Sequence, residues 1–189
     1  LGINVGAMFP FSPMRGYVLG MTESRERTSV TEKEMDQMKR LFHEGMQAGA
    51  FGITFNYNME DRAEDGSHLP SQICGDDEFL ALAGVLKEFG VGHIGQTIGM
   101  GLTVEQRNRM KTLVTEMVRV SGRTCHVAAL GEDPEWVFKA RAEGLPLVQQ
   151  TLCQIQGLQF KLSEYNMYDY MQAWVEPLIG TPDERAVKL

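Results

Sequence analysis

Four times along the chain an amphipathic helix stops at a glycine and a short apolar strand begins within a few residues. The joins are EGMQAGAFGITFNY (Glu44 to Tyr57), KEFGVGHIGQ (Lys87 to Gln96), RVSGRTCHVA (Arg119 to Ala128) and ARAEGLPLVQQ (Ala140 to Gln150). Glycine is the usual residue just past a helix end, because it adopts the left-handed conformation without steric cost. A chain that alternates strand and helix in this way builds a parallel sheet covered by helices, and such sheets carry their chemistry at the C-terminal ends of the strands. Pattern alone leaves two architectures open, a portion of a barrel and an open doubly wound sheet.

Five strands and four helices are expected. The strands are Ile3 to Met8, Phe51 to Phe55, Val91 to Ile98, Arg123 to Leu130 and Leu145 to Leu152. The first helix opens on the capping box Thr31-x-x-Glu34 and runs to about Ala48, with Met35, Met38, Phe42 and Met46 at helical spacing. The second is capped by Asp76 and buries Phe79, Leu82, Ala83 and Leu86. The third starts at Thr103-x-x-Gln106 and buries Met110, Leu113, Val114 and Met117. The fourth opens on Asp133-Pro134, with proline at the first helical position. Phe9 to Gly16 reads as a loop rich in Pro, Phe and Met, and Asn56 to Gly75 as a long polar loop of the kind that is functional or mobile. Beyond strand five the pattern weakens into an aromatic stretch (Tyr165, Tyr168, Tyr170, Trp174) and a polar tail from Gly180.

With 189 residues, 43 % of them hydrophobic and 23 % charged, the chain has the composition of one globular core. Eighteen Lys and Arg against 25 Asp and Glu give a net charge of −7, and the basic residues are scattered, which argues against a nucleic-acid partner. No apolar run reaches the roughly 20 residues of a membrane helix, and nothing resembles a signal peptide. Cys74, Cys125 and Cys153 form no CxxC or CxxH pattern, as expected of reduced thiols in a cytoplasmic protein. Because the chain opens on Leu1 and directly on a strand, it is expected to be a segment of a larger protein.

Among polar residues His126 stands out. It lies in the fourth strand, where alternation sets Thr124, His126 and Ala128 on one face and Cys125 and Val127 on the other. If Cys125 and Val127 pack against helices, His126 points to the polar interior, where imidazole binds a metal or moves a proton. A hydrogen-bonded core histidine is the alternative. Gln96 ends the preceding strand on the same face as Ile94 and Gly92, with His93 opposite and near the strand start, where a structural role is expected. His43 and His68 read as surface residues, and Glu60 to Asp65 as a solvated charge run. Gly99-Met100-Gly101 fits neither a dinucleotide fingerprint nor a phosphate loop.

Taken in order, NVGAMFPFSPMRGYVLG (from Asn4), AGAFGITFNY, DDEFLALAGVLKEFG, the strand with Gln96 and the strand with His126 resemble the N-acyl-D-amino-acid deacylase branch of the amidohydrolase superfamily. The likeness covers roughly Asn4 to Val148. It implies an α/β fold, a segment of a (β/α)8 TIM-type barrel with parallel strands, in which residues 1–189 form the central part of one barrel domain. It also implies a hydrolase cleaving an amide or related C–N bond, in an N-acyl amino acid or a cyclic amide, through a zinc-activated water.

In the family two successive strands end in metal-binding histidines. His126 in Thr124-Cys125-His126 matches the second, whereas Gln96 stands where the first should be, with Ile98 in place of an arginine. Amide oxygen is a poorer zinc ligand than imidazole, so one Zn2+ is expected rather than two, held by His126 and at most weakly by Gln96. Arg15, Asn56, Tyr57 and Gln96 fall where a small-molecule substrate would be held, Arg15 by pairing with a carboxylate. The catalytic residues are expected outside this segment, and homo-oligomerisation is left open. Two other readings remain: a barrel that has lost its metal and serves as a binding or scaffold protein, and a doubly wound small-molecule binder, which the missing glycine fingerprint disfavours.

Overall fold

A computed structural model describes residues 2–63, 65–99, 102–129, 134–151, 157, 159–164, 166, 168–169, 171 and 173–189. Expectations for Leu130, Asp133, Leu152, Cys153, Tyr165, Tyr170 and the Met100-Gly101 pair lie outside these residues.

The chain opens with β1 (Phe9–Pro10), α1 (Phe11–Leu19), α2 (Glu23–Glu26) and α3 (Glu32–Gln47), and continues through β2 (Gly52–Tyr57), α4 (Pro70–Ile73) and α5 (Asp76–Phe89). There follow β3 (His93–Ile98), α6 (Val104–Ser121), β4 (Cys125–Ala129), α7 (Glu135–Ala142), β5 (Leu147–Gln150), α8 (Val175–Leu178) and α9 (Pro182–Lys188). Among the described residues all five strands are parallel and lie in the order β1-β2-β3-β4-β5. A doubly wound sheet reverses its strand order at a switch point, and this one does not. Sequential order is that of a barrel wall.

Burial gives the same answer. Ile53 and Phe55 of β2, Ile94 and Ile98 of β3, and Cys125 and Val127 of β4 are buried in one core with Met38 and Phe42 of α3, Phe79 and Leu82 of α5, and Met110 and Val114 of α6. Their alternates Thr54, Thr97, His126 and Ala128 are only half-buried. The described helices therefore cover one face of the sheet and, among the described residues, leave the other open, as on a wall whose second face looks into a barrel.

Local chemistry explains most elements. Thr31 accepts from the Glu34 N–H while the Glu34 carboxylate accepts from the Thr31 N–H, which satisfies two of the first-turn donors of α3. Thr103 and Gln106 do the same for α6. α5 and α6 end on Gly90 and Gly122 with φ of 68° and 63°, the left-handed region that favours glycine. Gly52 is required for another reason. A Cβ there would run into the main chain of His93 on the neighbouring strand, so β2 and β3 approach closely only without one.

The N-terminal expectations need correction. The first strand is the two-residue β1, not Ile3 to Met8, and most of the anticipated loop Phe9 to Gly16 is α1. Proline was the misleading signal. Pro10 is the N-cap and Pro13 lies in the first turn, where no intrahelical partner for its N–H is needed. The polar tail also contains a helix, α9, opened by Thr181 and Glu184 and tied down by Arg185, which reaches Asp169 at 2.6 Å.

Candidate functional site

Pairing of the strands sets the open face out in rows. Thr54, Gly95, His126 and Val148 are aligned across β2 to β5, and one step further toward the C-terminal ends come Asn56, Thr97, Ala128 and Gln150. His93 lies one step below, aligned with Gly52. Barrel interiors are ordinarily filled by bulky apolar branched residues (Val, Ile, Leu), and in these rows only Val148 is one. A cavity of about 400 Å³ results, bordered among others by Met8, Thr54, His93, Thr97, His126 and Gln150. Its described lining contains no Asp, Glu, Lys or Arg.

His126 faces this cavity, as the alternation in β4 requires. It is the second residue of β4, so it stands roughly 10 Å below the strand's C-terminal end, given about 3.3 Å of rise per residue. Its ring meets that of His93 edge-on, the centroids 5.4 Å apart.

Gln96 does not share the cavity with its side chain. Aligned with Phe55 and Val127 and flanked by Ile94 and Ile98, it points into the helix layer and is 2 % exposed. Its Nε2 donates to the Thr97 carbonyl at 2.8 Å, and its Oε1 is buried without a partner among the described residues. Gln96 is nonetheless among the residues that border the cavity. The expected side-by-side arrangement of Gln96 and His126 is thus corrected. They are on neighbouring strands but on opposite faces, and His93 is the residue beside His126.

Two other expected substrate contacts also lie in the helix layer. Arg15 is wholly buried; its Nε donates to Glu78 at 2.8 Å, its Nη2 to the other Glu78 oxygen at 3.0 Å and to the Arg27 carbonyl, and its Nη1 to the Ser24 carbonyl. Every part of the guanidinium is engaged in joining α1, α2 and α5. Burial pushes the Glu78 carboxyl above the usual range, and Arg15 pulls it back. Tyr57 is buried, with the Arg109 guanidinium 5.8 Å above its ring. Asn56 does lie on the open face, in the row nearest the strand ends, but its Nδ2 is held by Asp61 at 2.5 Å and it does not border the cavity.

One residue that sequence reasoning passed over organises the β2 to α4 loop. Gln72 donates to the carbonyls of Asn58 and Asp61 and accepts from the Leu69 N–H at 2.9 Å, while His68 Nδ1 lies 3.0 Å from its Oε1. The Pro70 that starts α4 was the available signal, since proline commonly opens a helix.

A metal centre needs several converging donors. Among the described residues no three of His, Cys, Asp and Glu come together, and the row nearest the C-terminal strand ends is neutral: Asn56, Thr97, Ala128 and Gln150. The residues present therefore do not fit the catalytic metal centre that the resemblance implies. Cys74 and Cys125 are free and buried, and burial raises both thiols well above their ordinary range, leaving neither a ready thiolate. No described helix is long and apolar enough to cross a membrane.

No protein-family model matches the chain, and no curated protein matches it significantly. Two solved structures do. A D-aminoacylase variant in complex with copper chloride is similar over 78 % of this chain and 30 % of its own, at 16 % identity and a TM-score of 0.59. The D-aminoacylase structure described as defining a novel subset of amidohydrolases covers the same shares at 15 % identity and a TM-score of 0.57. The chain spans 30 % of the length of either structure, and over that length it has the D-aminoacylase fold.

Proposed function

We propose that the protein is an amidohydrolase-type hydrolase that cleaves a C–N bond, in an N-acyl amino acid or a cyclic amide, and that this chain is the central wall of its barrel. The carrying observation is the open face itself, a parallel sheet similar to that of D-aminoacylase with a cavity of about 400 Å³ on the side away from the helices. A lining that includes Thr, Ala and Gln and no described Asp, Glu, Lys or Arg suits the neutral acyl or amide part of such a substrate. It offers hydrogen bonds without the cost of desolvating a fixed charge.

In this reading Thr97 and Gln150 orient the amide, Ala128 leaves room for it, and the helices behind the sheet keep the strands in register. The resemblance implies zinc as the ion that activates water. At these strand ends the described residues do not assemble the ligands of such an ion.

The test is release of free amine by the full-length protein from a panel of N-acyl amino acids of both chiralities and of cyclic amides. Turnover of at least one class supports the reading. A folded protein that hydrolyses none of them, with no ion retained after purification, favours instead a barrel that binds without catalysis.

A further inference from the structure

Resting on the hydrolase reading above, we infer that the substrate is an N-acyl compound with a linear aliphatic acyl chain longer than acetyl, and that the missing side chain of Gly95 makes the trough that receives it. A glycine inside a strand weakens it, and is found where the strand bulges, where φ is positive or where another group must come close. β3 pairs with both neighbours in unbroken register through Gly95, so no bulge explains it. Its φ lies outside the left-handed region, so the backbone admits a side chain. Main chain does not crowd it either. The three atoms nearest to an added Cβ would be Thr54 Cγ2 at 3.1 Å, Met8 Cε at 3.7 Å and Thr54 Cβ at 3.8 Å, all in side chains, whereas at Gly52 the main chain of His93 stands in the way. Space on the open face is what remains to explain Gly95.

The size and chemistry of that space suit a hydrocarbon chain. Gly95 lies between Thr54 and His126, and two strand spacings of about 4.8 Å set those neighbours roughly 10 Å apart. A methylene chain packs about 3.5–4.0 Å from the atoms of each wall, so the gap takes one alkyl chain. On the side toward β1 the gap is edged by the methyl groups of Met8 and Thr54, and Phe51, 58 % exposed, borders the same cavity. The described lining has no Asp, Glu, Lys or Arg whose charge the chain would bury. Length then selects the acyl group. Thr97 is two residues beyond Gly95, about 7 Å along the strand. A substrate whose amide sits at Thr97 cannot reach Gly95 with acetyl, which extends by a single C–C bond of about 1.5 Å.

The test is a chain-length profile, the kcat/KM of the full-length protein on the N-acetyl, N-butyryl, N-hexanoyl and N-octanoyl derivatives of one amino acid in both chiralities. Each buried methylene is worth about fourfold, so hexanoyl should exceed acetyl tenfold or more. Gly95→Val fills the trough and should lower kcat/KM for hexanoyl tenfold or more, leaving acetyl within about twofold. Met8→Ala, outside the strands, enlarges the trough and should move the preferred chain to octanoyl. A wild type that prefers acetyl overturns the inference, as does a folded Gly95→Val protein whose loss is the same on every chain or on none. Should a thermal melt show that Gly95→Val does not fold, Met8→Ala decides alone, and an unchanged profile counts against the trough. If no N-acyl compound is hydrolysed, the hydrolase reading fails separately, and calorimetry with N-hexanoylglycine and N-acetylglycine tests the trough. Tighter binding of the hexanoyl compound by wild type, lost in Gly95→Val or, where that variant does not fold, weakened in Met8→Ala, supports it as an acyl site; equal affinities overturn it.

Discussion

Gln96 carries a buried amide oxygen with no described partner between Ile94 and Ile98, and a buried polar atom left unpaired costs about 1–3 kcal/mol. Replacing Gln96 with Leu removes that oxygen together with the single bond to the Thr97 carbonyl. Stability by chemical denaturation is therefore expected to hold or rise by about 1 kcal/mol, with hydrolysis unchanged; a large loss of turnover in a stable variant would return Gln96 to the substrate site. Arg15 behaves in the opposite way. Arg15→Met strands the Glu78 carboxylate in the helix layer and should cost about 3–5 kcal/mol, whereas Arg15→Met with Glu78→Leu should recover most of it. Denaturation midpoints of the two variants decide the matter. The direction of Gln96 was legible in the sequence, because alternation ties it to two isoleucines as firmly as it ties His126 to Thr124 and Ala128. Resemblance to a histidine ligand placed it on the wrong face. The depth of Arg15 was not legible, since its partner is 63 residues away.

Helix α3 shows how an element's stability depends on pH. Hydrogen bonds from Arg27, the Thr31 N–H and the Thr31 hydroxyl hold the Glu34 carboxyl down to about 2 from an ordinary 4.5. Because the folded value is depressed, the contribution is complete above the ordinary value and is lost as pH falls through that window toward about 2. Acid titration followed by circular dichroism should show Glu34→Gln losing less stability than wild type across this range, and identical curves would contradict the assignment. Thr31→Ala should cost about 1 kcal/mol at neutral pH. Capping boxes made α3 and α6 readable in advance and apolar spacing made α5 so, although its N-cap is Gly75 and not the Asp76 expected there, and glycine marked where α5 and α6 stop. α1 was hidden because Pro10 and Pro13 look like loop residues unless the helix start between them is already known. The β2 to α4 loop is ordered by Gln72, whose bonds reach 11 and 14 residues back along the chain and leave no periodic trace.

At the scale of the molecule, strand order and one-sided helix packing decide between barrel wall and doubly wound sheet, a choice that the alternation of elements left open. Sequence periodicity specifies strands and helices, but not the order in which strands lie side by side. The central claim is that the open face, and not the helix face, borders the substrate. It is tested most directly by comparing kcat/KM of Ala128→Leu and Val127→Ala, adjacent positions on opposite faces of β4, in full-length protein acting on its best amide substrate. Ala128→Leu fills the cavity and should lower kcat/KM tenfold or more, about 1.4 kcal/mol of transition-state stabilisation, with little change in melting temperature. Val127→Ala should lower stability by roughly 1–3 kcal/mol and leave kcat/KM of the folded enzyme within about twofold. A folded Ala128→Leu enzyme with undiminished kcat/KM, beside a Val127→Ala enzyme that loses it, would contradict the account.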